Sequence, residues 1–354
     1  MRNYTHGGNI YQLENTEEKI LDFSANINPL GVPKSVIDAA ADSLKGCFNY
    51  PDPMCRKLID KISKYENIDS EFIVCGNGAA DLIYRIVMAL KPKKGLVSAP
   101  TFSEYEDALK IMNCQVVYNY LNENENFNLT DKILEIMDKE KPNIMFICNP
   151  NNPVGNLVDK KLLIEILNKA LILNTTVIVD ECFAEFTAKV EEITLKNDLS
   201  KYKNLIILKA FTKNFAMAGL RLGYIMLSND KILDEIFRCG QPWSVSTPAQ
   251  AAGIAALDEG VYLKNAVKII TYERKKLCTE LKLAGMKVFE PSANYIFFRC
   301  NGGAEFCEKM KNHNILIRNC GNYHGLSDDY LRIAVRTPKE NQRFLEVMKE
   351  VYHG

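Results

Sequence analysis

No stretch of this sequence approaches the roughly 20 consecutive apolar residues needed to span a bilayer. The first residues, Met-Arg-Asn-Tyr-Thr-His-Gly-Gly, carry no apolar signal region. Charge is balanced, 44 Lys and Arg against 44 Asp and Glu, so nothing points to nucleic acid or an anionic membrane as a partner. Tryptophan occurs once, and the four histidines show no metal-ligand spacing. The eleven cysteines form no Cys-x-x-Cys pair and lie scattered, many inside apolar runs, where a free thiol behaves as a small hydrophobe. Together these absences predict a cytoplasmic protein with reduced thiols, no metal site, no disulfide framework, and no nucleic-acid or membrane partner.

What is present is a sizeable core: 47% hydrophobic and 25% charged residues over 354 positions suit a large domain with a smaller one appended. Short apolar runs alternate with helical patterns from about residue 75 to 228, which predicts an α/β fold with a mostly parallel sheet between helices. Strands are expected at Phe72–Val74, Gly95–Ser98, Gln115–Tyr118, Ile144–Cys148, Val177–Val179, Leu205–Leu208 and Gly223–Leu227, seven in all. Helices are expected at Ala79–Leu90, Lys160–Leu171 and Thr247–Leu257, the last opening a long helical stretch to about residue 283. Strands near Tyr295–Arg299 and Leu331–Val335 belong to a smaller α+β domain. The expected division is an arm and part of the small domain over 1–45, a large domain over 46–250 and the rest of the small domain over 251–354. Residues 119–130, rich in Asn and Glu, read as a solvated loop.

Three of these strands end on chemistry. Ile144–Cys148 runs into Asn149-Pro-Asn-Asn152-Pro-Val-Gly155, where an asparagine at a parallel strand's carboxyl end can bond a ligand oxygen. Val177–Val179 ends in Asp180, and Leu205–Leu208 leads to Ala210-Phe-Thr212-Lys213, with Gly219-Leu-Arg221 beyond it. A lysine desolvated near a second cation loses proton affinity and becomes nucleophilic. Arginine offers a planar fork for phosphate. An amide, a carboxylate and a lysine at successive strand ends suit a pyridine-ring cofactor: Asn152 for the ring hydroxyl, Asp180 for the protonated ring nitrogen, Lys213 as a Schiff base to the aldehyde. Cys75-Gly76-Asn77-Gly78 opens a helix, whose amino terminus favours a phosphate, with Asn77 and Gly78 contributing and Arg221 completing the cradle.

In these motifs the chain resembles the fold-type I pyridoxal-phosphate (PLP) enzymes of the aminotransferase class, over essentially its whole length. His6-Gly7-Gly8-Asn9, Asp22-Phe-Ser-Ala-Asn26-Ile-Asn-Pro-Leu-Gly31 and Asn49-Tyr50-Pro-Asp52 resemble more closely the L-threonine-O-3-phosphate decarboxylases of cobalamin biosynthesis, relatives of the histidinol-phosphate aminotransferases. The resemblance implies α-decarboxylation to 1-amino-2-propanol O-2-phosphate, in a homodimer whose Tyr50 reaches the cofactor phosphate of the other subunit. It also implies that Phe102 stacks on the pyridine ring, with Tyr105 as the alternative. A phosphorylated amino acid carries two anions. Arg318 and Arg336, His6, Asn26 and the Gly7 backbone are expected to bind it, with Asn152 nearby.

Two positions depart from the aminotransferase pattern. Phe183 stands where those enzymes place a tyrosine on the cofactor's ring oxygen, a change shared with the decarboxylase branch. Ala210 stands where a Ser or Thr commonly meets the cofactor phosphate; Thr212 partly compensates. A histidinol-phosphate aminotransferase and a decarboxylase preferring phosphoserine remain the alternatives. A non-catalytic PLP-binding protein fits poorly with retention of both Lys213 and Asp180. A dinucleotide-dependent oxidoreductase fits worse, since Gly76-Asn-Gly78 lacks the third glycine.

Overall fold

The computed structural model describes residues 6–13 and 19–353; positions 1–5 and 14–18 of the expected amino-terminal arm, and residue 354, lie outside the described residues. A seven-stranded sheet forms the centre. Its strands are β1 (Ile73–Gly76), β2 (Lys94–Ala99), β3 (Gln115–Tyr120), β4 (Ile144–Cys148), β5 (Thr176–Asp180), β6 (Leu205–Ala210) and β7 (Gly223–Met226). They lie in the order β1-β7-β6-β5-β4-β2-β3. From β6 to β3 every pairing is parallel, while β7 runs antiparallel to both of its neighbours.

The reason is legible in side-chain type. β4, β5 and β6 are continuous buried runs, as strands covered by helices on both faces must be. The helix Lys160–Leu173 begins at Asp159, whose carboxylate accepts from the Lys161 amide at 2.7 Å, and ends at Asn174 in the left-handed region. All seven expected strands form, within a few residues of the expected ends. The stretch from Thr247 to Leu283 is two helices, Thr247–Ala256 and Gly260–Leu283, rather than one.

The smaller unit is an antiparallel sheet of β8 (Lys287–Phe289), β9 (Tyr295–Arg299), β10 (Arg318–Asn319) and β11 (Tyr330–Ala334), ordered β10-β11-β9-β8. The amino-terminal segment joins it: Leu21–Asp22 pairs in parallel with Ile315–Leu316, and Phe23 packs against Phe344 with ring centroids 4.9 Å apart. Among the described residues no helix is long and apolar enough to cross a membrane. All eleven cysteines are free thiols.

The segment 119–130 is not simply a solvated loop. After a short turn at Glu123–Glu125, Phe127 is 2% exposed and meets Phe289, Phe297 and Tyr330 edge-on, at 5.1, 5.7 and 5.8 Å. One aromatic among polar neighbours pins the excursion from the large sheet to the small one. Phe127→Ala is expected to lower unfolding stability by about 3 kcal/mol, read as an earlier urea midpoint, because a buried ring leaves a cavity.

Candidate active site

The carboxyl ends of β4, β5 and β6 open into a cavity of about 510 Å³. Such a place is where parallel sheets offer loop residues to a ligand. Lys213, in the single turn Phe211–Asn214 after β6, lines it together with Asn152, Asp180, Phe183, Thr212, Arg221, Arg318 and Arg332. The amino-terminal segment closes one wall with His6, Gly7, Ser24 and Asn26. It is locked in place where the Asn28 amide donates to the Lys213 carbonyl at 3.1 Å and the Asn28 side chain donates to the Asn214 carbonyl at 2.8 Å.

Lys213 is half-buried with its amine 5.9 Å from the centre of the Phe183 ring. Burial first, then the Arg332 and Arg221 guanidiniums, hold its pKa down to about 8. Asp180 is buried; burial pushes its carboxyl above the ordinary range, against the donors that oppose the shift. Those donors are the Cys182 amide at 2.9 Å and the Tyr105 hydroxyl at 2.6 Å. Tyr105 is itself fixed by stacking on Phe146 at 4.8 Å and by the edge of Phe102 at 5.6 Å. Phe102 lines the cavity and lies 6.1 Å from the His6 ring, while the His6 Nε2 is 2.8 Å from Glu104.

The arginines form two groups. Arg221, at φ +57°, lies against the first turn of the helix Gly78–Leu90: Gly78, at φ +82°, has no room for a Cβ because the Arg221 guanidinium fills it. Ala79 and Ala80 of that turn line the cavity, and with Arg221 and Thr212 they make an anion-binding corner. Arg318 and Arg332 pair directly across the β10–β11 ladder and so share one face. Arg332, 5% exposed, donates to the Asn152 side-chain oxygen and, at 2.7 Å, to the Ser24 carbonyl; Arg318 lies over the Tyr323 ring at 5.3 Å.

Several expectations need correction. Arg336 does not line the cavity. It follows the end of β11, and its guanidinium turns to Glu340, 3.5 Å away; Arg332, two residues inside the strand, takes the place at the cavity. Asn77 is exposed and off the cavity wall, its amide already committed to Asp81 at 2.8 Å, and Gly78 serves by making space for Arg221 rather than by facing the ligand. Tyr50, expected to serve the other subunit rather than its own chain's cavity, needs no such correction; it is 77% exposed and stacked on Trp243 at 4.3 Å. Arg332 went unassigned, although it had a signal as a charge within an otherwise apolar strand; the sequence suggests Tyr105 only for ring stacking, not as the partner of Asp180. Tyr105 is an aromatic whose hydroxyl needs a partner once buried.

This arrangement can hold an aldehyde on a lysine beside a cationic ring nitrogen, with anions at two ends. A neutral amine is the nucleophile, so imine formation between the cofactor-free protein and an aldehyde is expected to accelerate with pH around a midpoint near 8. The same depressed value makes Lys213 contribute stability that increases as pH rises from about 8 towards the ordinary lysine range, since the unfolded chain then binds the extra proton. A rate profile with an unshifted lysine midpoint would contradict both.

Residues 18–348 match the family described as aminotransferase class I and II. The chain is 34% identical to the threonine-phosphate decarboxylase of Salmonella typhimurium, covering 99% of this chain and 98% of that one. It is 32% identical to a histidinol-phosphate aminotransferase of Methanococcus aeolicus, covering 94% and 90%. The crystal structure of the histidinol-phosphate aminotransferase from Clostridium acetobutylicum superposes with a TM-score of 0.88 at 34% identity, over 94% of this chain and 99% of that one. Fold, strand-end chemistry and these likenesses agree: the chain belongs to the aminotransferase class I and II family.

Proposed function

We propose that this protein is a PLP-dependent decarboxylase of L-threonine O-3-phosphate, yielding CO₂ and 1-amino-2-propanol O-2-phosphate for cobalamin synthesis, and that it works as a homodimer. The observation that carries the reading is one cavity holding a low-pKa lysine, a buried carboxylate and arginines in two separate groups. The full-length likeness to a threonine-phosphate decarboxylase and the phenylalanine at 183 favour decarboxylation over amino transfer.

The donor set fits PLP. Arg221, Thr212 and the first turn of the helix Gly78–Leu90 would hold its phosphate, Phe102 would cover its ring, Asp180 would face the ring nitrogen and Asn152 the ring oxygen. Bound there, the cofactor supplies a ring that accepts the electron pair of a bond broken at the substrate α-carbon. Asp180, whose carboxylate accepts from the Tyr105 hydroxyl and the Cys182 amide, would hold a proton on the ring nitrogen. Lys213 would hold the cofactor's aldehyde, and its amine, once released, would be placed to deliver a proton to the substrate α-carbon. Arg332 and Arg318 would grip the anionic groups of the substrate; Asn26, whose side-chain oxygen is buried without a partner among the described residues, would offer an acceptor to a substrate donor. By orienting the substrate, this grip would favour loss of the carboxylate over loss of the α-proton.

Tyr50, exposed on the surface beside Trp243, would be available to a partner subunit's site in such a dimer. Phosphoserine, lacking one methyl, would be discriminated by only about 1–3 kcal/mol.

CO₂ release from L-threonine O-3-phosphate by the PLP-loaded protein, with Lys213→Ala as control, tests the reading directly. Release is expected from the wild type and none from the variant. Amino transfer from glutamate to the histidinol-phosphate ketone, without CO₂ release, would instead make it an aminotransferase. Tyr105→Phe keeps the ring stack but removes one donor from Asp180. PLP affinity measured by equilibrium dialysis is expected to fall about tenfold, the effect of losing roughly 1.4 kcal/mol.

A further inference from the structure

Side chains alternate across a strand, so the chain neighbours of the site residues point away from it. Asp180 and Ala210 face the cavity; Glu181 and Lys209, beside them in sequence, end on the opposite face of the sheet. There Lys209, 2% exposed, sits 2.9 Å from Glu66, 3.2 Å from Glu185 and 3.9 Å from Glu181. Tyr224, directly across the ladder from Lys209 on β7, donates to Glu66 at 2.5 Å. Lys196 reaches the other Glu66 oxygen at 3.6 Å. Glu181 accepts further bonds from the Thr194 hydroxyl at 2.7 Å and the Leu195 amide at 2.9 Å.

Three carboxylates and two ammoniums thus meet behind the cavity, with Glu66 and Glu181 each 1% exposed. Buried ion pairs of this kind are poor sources of net stability; what they supply is a demand for one geometry, because displacing either partner strands a desolvated charge. The groups held belong to the ends of β5 and β6, to β7, to the turn Ala184–Phe186 and to the last residue of the helix Arg56–Glu66. The two strand ends that carry Asp180 and the Lys213 turn are therefore cross-braced from behind by Lys209.

We propose that Lys209 is a positioning residue: by clamping Glu181, Glu185 and Glu66 on the reverse face of the sheet, it fixes the placement of Asp180 relative to Lys213 in the cavity. This rests on the reading that the cavity binds PLP.

The test compares wild type with Lys209→Met, which keeps length and removes charge, and with Lys209→Arg, which restores charge. PLP dissociation constants are measured, and the visible absorption of the PLP-loaded proteins is titrated against pH. For Lys209→Met, PLP is expected to bind about fivefold or more weakly, the scale of coupling through a packed network. The midpoint of its absorption titration moves from that of the wild type, and Lys209→Arg moves it back. A Lys209→Met protein that melts earlier but keeps the wild-type midpoint and PLP affinity would reduce Lys209 to a stability role and overturn the proposal. If Lys209→Met is insoluble, Glu66→Gln, which preserves an acceptor for Tyr224, must show the same displaced midpoint; an unchanged one is equally fatal. Failure of the wild type itself to take up PLP would refute the underlying reading instead, and is seen before any variant is compared.

Discussion

Desolvation of charge at the carboxyl edge of the parallel sheet is the constraint on which this molecule depends. A charged group moved from water into such a place either finds a partner or changes its proton affinity. Both outcomes occur within a few residues of each other. Lys209 and Arg332 are buried with partners, the first among carboxylates and the second on Asn152 and the Ser24 carbonyl. Lys213, with two guanidiniums nearby and no carboxylate in contact among the described residues, gives up proton affinity instead. Two lysines four positions apart thus acquire opposite characters from their surroundings alone: burial lowers the proton affinity of both, but at Lys209 the carboxylates overcome it, while at Lys213 the arginines add to it.

The sheet's geometry makes this separation possible. At 180–181 and again at 209–210 consecutive residues point to opposite faces, so a cavity-lining carboxylate and one in the ion-pair cluster occupy adjacent positions without sharing an environment. The antiparallel β7 adds Tyr224 to the bracing side, while its preceding turn carries Arg221 to the cavity. The small unit brings the remaining cations. Its ladder sets Arg318 beside Arg332, and the Ala334 amide bonded to the Phe23 carbonyl at 2.8 Å draws Ser24 to Asn26 against them. The cavity is consequently assembled from three stretches far apart in sequence.

That assembly explains what could be read beforehand. The strands and the three strand-end residues Asn152, Asp180 and Lys213 announce themselves locally, because continuous β-branched runs followed by polar punctuation mean the same thing wherever they occur. Phe127 and the break near Leu257 did not. Whether a lone aromatic in a polar segment is buried depends on what arrives from residues 289, 297 and 330. The choice between Arg332 and Arg336 was equally non-local. Both follow apolar residues, and only the pairing of β11 with β10, and the helix beginning at Pro338 with Glu340 ready to take Arg336, separates the two.

Phe183 shows how a single departure can be absorbed. Its ring meets Tyr295 edge-on at 5.0 Å, and the Tyr295 hydroxyl donates to the Asn151 carbonyl at 2.8 Å, one residue before the amide that faces the cavity. A hydroxyl on residue 183 would add a donor close to the Lys213 amine, whose neighbours already favour its neutral form. With phenylalanine there, Asn152 is the neighbouring polar side chain on this wall of the cavity, and it is held by Arg332. Arg332 and Asn152, both on the cavity wall, are therefore joined by one hydrogen bond, so that displacing either side chain removes a partner from the other.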